Sequence, residues 1–119
     1  MVIKGVRNTK NKRKKKKVVP KNEFRYNFTE KHKTYIFAEV GDKYKSLGIT
    51  HKSETFGRKN MKLDKNPQKG KSEPAYIRNG VISDKKKNYG KRTINNLSFS
   101  KADFARVKAK IRHYKKRLK

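Results

Sequence analysis

At 119 residues the chain has room for one domain and its tails, and its 37 Lys and Arg against 9 acids give a formal net charge of +28. Self-repulsion on that scale calls for counterions or an anionic partner, which puts nucleic acid first as a partner class and an anionic membrane surface second. The absence of cysteine excludes thiolate catalysis, disulfides and cysteine-ligated zinc, and no apolar run approaches the roughly 20 residues of a membrane span.

Hydrophobic residues make up only 31 % of the chain, which implies a small core. That core suits a domain of roughly 60–80 residues. The first stretch carries charge without a hydrophobic segment, unlike a secretory signal, so a cytoplasmic protein is expected. The basic block Lys12, Arg13, Lys14, Lys15, Lys16, Lys17 would also serve as a nuclear address if the source is eukaryotic.

Residues 1–22 contain no acid, and a run of like charges extends itself. A disordered basic N-terminal arm is expected there, lying along phosphates, with an idle solvated tail as the alternative. Residues 23–119 are expected to form a small α+β nucleic-acid-binding domain. Phe24, Tyr26 and Phe28 alternate with polar residues over 23–33, the period of a strand that joins a central hairpin.

That hairpin is the apolar, β-prone run from Tyr35 to His51, turning at Gly41-Asp42. A tight turn pairs Val40 with Lys43, Ala38 with Lys45, Ile36 with Leu47 and Thr34 with Ile49. One face then carries Val40, Ala38, Ile36, Leu47 and Ile49 as core. The other presents Tyr35, Phe37 and Tyr44, available to stack on unpaired bases.

Residues 52–74 are polar, with glycines and prolines and little periodicity, and read as a long loop that is functional or disordered. Ala75 to Ser83 reads as a second hairpin turning at Asn79-Gly80, a strong short-range turn signal. Residues 84–96 are basic and glycine-broken. The clearest element follows. Ser100 with Asp103 makes an N-cap of the capping-box kind, and Phe99 with Phe104 makes a hydrophobic staple. Phe104, Val107, Ile111, Tyr114 and Leu118 form one apolar stripe at helical spacing. The remaining faces carry Arg106, Lys110, Arg112, Lys115, Lys116 and Arg117, a phosphate-binding surface. The stripe lacks the bulk of membrane-surface helices, which argues against a membrane partner. The fold class expected is α+β: a small antiparallel sheet of two hairpins packed by one C-terminal amphipathic helix.

For chemistry, the nine acids are scattered singly, which argues against a two-metal nuclease. Phosphate-binding and dinucleotide glycine patterns are absent, and His32, His51 and His113 lack zinc spacing, so neither metal nor cofactor is expected. Metal-independent RNA cleavage survives, since His, Arg, Lys and Tyr suffice as base, acid and phosphorane-stabilising cation. His51, Tyr76 and Arg78, with Lys91 or Arg92 following, are the candidates; the alternative is that His51 merely ends a strand while Tyr76 and Arg78 bind phosphate.

The runs Leu47-Gly48-Ile49-Thr50-His51, Leu63-Asp64-Lys65-Asn66-Pro67 and Ala75-Tyr76-Ile77-Arg78, followed by a Lys-rich helix, resemble small phage and mobile-element proteins. Among these is the barnase/RelE-like ribonuclease fold. The resemblance spans about residues 34–118 and implies a ribonuclease, toxin-like or phage-encoded, with His51, Tyr76 and Arg78 at its site. The chain departs from the barnase-type pattern in having no Glu at a diagnostic spacing from His51.

Two functions are therefore expected. The first is phosphate-directed binding of RNA rather than DNA, since no helix-turn-helix pattern is visible and sheet aromatics suit unpaired bases. A ribosome or other ribonucleoprotein would fit the charge. The second is the metal-independent ribonuclease. An acidic inhibitor or partner protein is a further expected partner class.

Overall fold

The computed structural model describes residues 17–117. Its centre is a five-stranded antiparallel sheet assembled from β1 (Val18–Asn27), β2 (His32–Val40), β3 (Lys43–Thr50), a short β6 (Met61–Lys62) and β7 (Tyr76–Lys85), in the order β1-β2-β3-β7-β6. A two-residue hairpin, β4 (Glu54–Thr55) with β5 (Arg58–Lys59), stands apart from it. One helix, α1 (Lys101–Arg117), packs across one face of the sheet, so the α+β class holds. β1 opens at Val18, so the sheet takes in residues that sequence places in the N-terminal arm; Lys12, Arg13, Lys14, Lys15 and Lys16 lie outside the described residues.

The β2–β3 turn has Gly41 at φ 63°, and Val40 pairs with Lys43 and Ala38 with Lys45, as the hairpin reading requires. The register then slips. Ile36 faces Ser46, Tyr35 faces Leu47 and Thr34 faces Gly48, because Phe37 is an extra residue in β2. Such a bulge turns the side chains beyond it to the opposite face. Tyr35 and Phe37 therefore join the core with Phe24, Ala38 and Leu47, while Ile36, equally buried, lies outside that cluster.

The helix begins as its capping residues dictate. The amide of Asp103 donates to Ser100 Oγ at 3.2 Å, and the Phe99 and Phe104 rings stack at 6.4 Å and 15°. Val107 is fully buried and Ile111 nearly so against Tyr35, Phe37, Ala38 and Leu47, and Tyr114 sets its edge on Phe37 at 6.0 Å. Each such fully buried aliphatic side chain stabilises by about 1.5–3 kcal/mol. Asp103, wholly buried, accepts the amides of Asp64 and Lys65 at 2.9 and 3.1 Å and so pins the loop beneath the helix. That loop is ordered, not slack: Leu63 and Ala75 are buried, and residues 67–69 pair with 96–98.

The opposite side of the sheet is covered by the chain after β7. A single 3-10 turn (Lys86–Asn88) brings Tyr89 in, where its hydroxyl shares a 2.8 Å hydrogen bond with Ser46 Oγ. Burial pushes the Tyr89 phenol up to about 12. The fully buried Asn27 ties the β1–β2 turn to β7, donating to Asp84 at 3.1 Å and accepting the Glu30 amide at 2.6 Å.

Residues 75–83 depart most from the sequence reading. They form no second hairpin: β7 runs as one strand from Tyr76 to Lys85, pairing with β3 along most of its length and with β6 at its start. Leu47 pairs with Val81 but Ile49 pairs with Ile77, so Arg78, Asn79 and Gly80 bulge opposite Gly48. Neither Asn79 nor Gly80 has the positive φ that an Asn-Gly turn demands.

Candidate nucleic-acid interface

The bulge disposes of one expectation directly. Tyr35 and Phe37 are 3 % and 5 % exposed and face the helix, so neither stacks on a base. Tyr44 stays on the far face, its edge on Tyr89 at 5.2 Å, with Arg25 and Lys86 already standing over its ring at 5.7 and 5.5 Å.

On the helix, Arg106 is exposed but already engaged. It ion-pairs with Asp103 at 3.1 Å and Asp64 at 3.4 Å and donates to the Lys62 carbonyl, so it is a structural tie, not a free phosphate contact. Lys110 is half-buried, and that burial lowers its pKa. Arg112 and Lys115 are exposed as expected, and Lys17 is exposed just before β1. The side chains of Lys116 and Arg117 lie outside the described part.

No one of the grooves around His51 and Arg78 is lined by His51, Tyr76 and Arg78 together. His51 is exposed, and its Nδ1 donates to the Pro74 carbonyl at 3.1 Å, which leaves Nε2 as the lone-pair nitrogen of the neutral ring. It lines a groove of about 350 Å³ with Ile49, Pro67 and Gln68. Tyr76 lines neither that groove nor the ones around Arg78. The Arg78 stem runs over Gly48, where a Cβ would come within 2.8 Å of Arg78 Cδ. Its guanidinium pairs with Glu30 at 2.8 Å.

What links the two regions is His32. With Thr50 and Lys52 it lines both the His51 groove and a second one walled by Glu30, Phe56 and Arg78. Burial lowers the His32 pKa, and the neighbouring Arg78 lowers it further against a smaller opposing pull from Glu30, which favours the neutral ring. From sequence His32 is weighed only as a zinc ligand; the far end of the expected β2–β3 hairpin is the signal that would have brought it near residues 50–52.

A second missed feature stands beside Arg78. Phe56 is 91 % exposed and sits at φ 52°, followed by Gly57 at φ 76°. Positive φ at both central residues is the two-residue hairpin turn that normally takes Asn-Gly. A bulky side chain there costs on the order of 1–3 kcal/mol. The hairpin is held firmly all the same. Asn79 Nδ2 donates to the Thr55 and Arg58 carbonyls at 3.0 Å each, and the Asn79 amide donates to Asn60 Oδ1 at 2.9 Å. Asn60 in turn donates to the Lys52 carbonyl and to Thr55 Oγ1.

No group of three or more His, Asp or Glu able to hold a metal ion occurs among the described residues, and none of their helices is long and apolar enough to cross a membrane. Fold and surface together define a small, strongly basic α+β domain. Comparison with known proteins adds nothing to that class: no family model, no curated protein and no solved structure matches the chain.

Proposed function

We propose that the protein binds RNA, chiefly through contacts to phosphates. The observation that carries this reading is that folding leaves the charge unneutralised. Residues 17–117 hold 28 of the 37 Lys and Arg together with all nine acids. Among the described residues only Lys21, Arg25, Arg78, Lys86 and Arg106 stand in ion pairs. A polyanion releases its condensed counterions on meeting such a surface, which drives association.

RNA is favoured over DNA on two grounds. The described residues contain a single α-helix, so they offer no helix-turn-helix for a major groove. Phe28 and Phe56, exposed at turns, suit unpaired bases better than a stacked duplex. A ribonucleoprotein or ribosome in the cytoplasm supplies such RNA.

The test is the salt dependence of binding to single-stranded RNA. Each neutralised phosphate adds about 0.7 to the slope of log affinity against log salt, so six to ten contacts give roughly 4–7. A slope near zero between low and physiological salt overturns the reading.

One observation favours a second reading, metal-independent RNA cleavage: His32 and His51 line one groove together with Lys52. Neutral His32 would take the 2′-hydroxyl proton as the 2′-oxygen bonds to phosphorus. The bond to the 5′-oxygen would break, and protonated His51 would give that oxygen a proton, with Lys52 or Arg78 facing the phosphorane charge. This reading expects cyclic-phosphate ends on RNA incubated in EDTA, and at least a hundredfold loss in His32→Ala. Cleavage unchanged in both His32→Ala and His51→Ala would remove the site.

A further inference from the structure

We infer that Phe56, backed by Arg78, is a stacking platform for one unpaired nucleobase, received in the groove between hairpin β4–β5 and the bulge of β7. The inference rests on the RNA-binding reading and names where a base, as opposed to a phosphate, is held.

The first ground is that Phe56 does nothing for the fold. Its side chain is 91 % exposed on a backbone that favours glycine or asparagine, yet the hairpin carrying it is fastened by three side-chain bonds from Asn79 and Asn60 to the Thr55 and Arg58 carbonyls and Thr55 Oγ1. An exposed aromatic ring on a fastened backbone has its flat face available to a base at the cost of ordering only its own side chain.

The second ground is Arg78. Its guanidinium carbon stands 5.9 Å from the Phe56 ring centroid, its stem is seated in the space that Gly48 leaves, and Glu30 grips its far end. The cation therefore approaches the ring at the outer edge of cation–π reach and leaves its faces open to a base.

The third ground is the chemistry of the groove, about 420 Å³ in volume, a size typical of small-ligand sites. Glu30 and Asp84 line it, two of only nine acids in the chain. With Glu30 paired to Arg78 and Asp84 left over, the lining favours the uncharged edge of a base over a phosphate. Gly80 lines the same groove, and a Cβ built on it meets nothing within 4 Å.

The experiment compares two fluorescent probes on the full chain: single-stranded oligouridylate, and an abasic ribose-phosphate strand of equal length. Wild-type protein should bind the oligouridylate more tightly. Phe56→Ala should lose about tenfold on oligouridylate, within the range of one base–aromatic stack, and nothing on the abasic strand. Its salt slope should match wild type, because no phosphate contact is removed. Phe56→Trp should retain binding. Equal wild-type affinity for the two strands, or a Phe56→Ala protein that binds oligouridylate as wild type does, overturns the platform and leaves the phosphate reading standing. Binding of neither strand by wild type overturns both.

Discussion

The helix-covered face of the sheet and the corner where hairpin β4–β5 meets β7 are held together by different physics. Under the helix, Phe24, Tyr35, Phe37, Leu47, Val107 and Ile111 interdigitate, and their burial is the adhesive. At the corner almost nothing apolar is buried; Asn60, Asn79 and the Arg78–Glu30 pair define the geometry through directed hydrogen bonds. Burial is indifferent to orientation and tolerates substitutions of similar volume. Directed bonds place a few atoms closely and tolerate little. Stability should therefore reside in the first region and recognition in the second.

The sharpest break of that contrast is Leu47→Ala, at a side chain 1 % exposed beneath the helix. It should lower unfolding stability by about 2–5 kcal/mol, read from urea titration, with RNA affinity unchanged where the protein remains folded. A loss of affinity without a loss of stability would mean the two regions are not separate.

The polar anchor behind the corner gives a smaller, pH-dependent effect. Burial works to raise the Asp84 pKa from 3.8, but bonds from the Asn88, Asn27 and Thr29 side chains and the Lys85 amide outweigh it and hold the group at about 2. A carboxyl whose folded pKa lies below its unfolded one contributes stability above the unfolded value, and loses it as pH falls. About 2 kcal/mol should be present above pH 3.8 and gone near pH 2. In Asp84→Asn that acid limb should flatten; an unchanged limb would show that the bonds from Asn27 and Asn88 do not favour the ionised form.

How much of this was legible in the sequence follows the same division. The helix start could be read because Ser100, Asp103, Phe99 and Phe104 act within one turn of each other. The turn at Gly41-Asp42 and the strand through Phe24 and Tyr26 are likewise local. The bulge at Phe37 is not: it is set by which rings the helix accepts, and a single inserted residue exchanged Tyr35 and Phe37 for Ile36 on the core face. Asn79-Gly80 misled for a related reason. Its turn preference is weaker than the demands of Asn60 and hairpin β4–β5, which use Asn79 as an anchor in an extended strand. The meeting of His32 with His51 and Lys52 in one groove depends on the far end of the β2–β3 pairing, beyond the bulge that shifts its register.

Gly48→Ala tests the join between sheet and corner. Its Cβ would meet Arg78 Cδ at 2.8 Å and Ile82 Cδ1 at 3.4 Å, so Arg78 must shift and its hold on Glu30 must loosen. A cost of about 1 kcal/mol is expected, reduced when Arg78→Ala is also present. Additive costs in that cycle would place the two residues out of contact.

The smallest effect carries the most meaning. Phe56→Asn puts a turn residue where the φ of 52° asks for one, and removes an exposed ring that packs on nothing but Arg78. Asparagine adopts positive φ at little cost, so thermal unfolding should move upward, equivalent to about 0.5–1 kcal/mol. The same variant should lose the stacking contact with an unpaired base. A residue that weakens the fold and strengthens a contact with RNA is the signature expected of a binding position. If Phe56→Asn instead lowers stability, the ring is supporting the hairpin, and its exposure has a structural explanation.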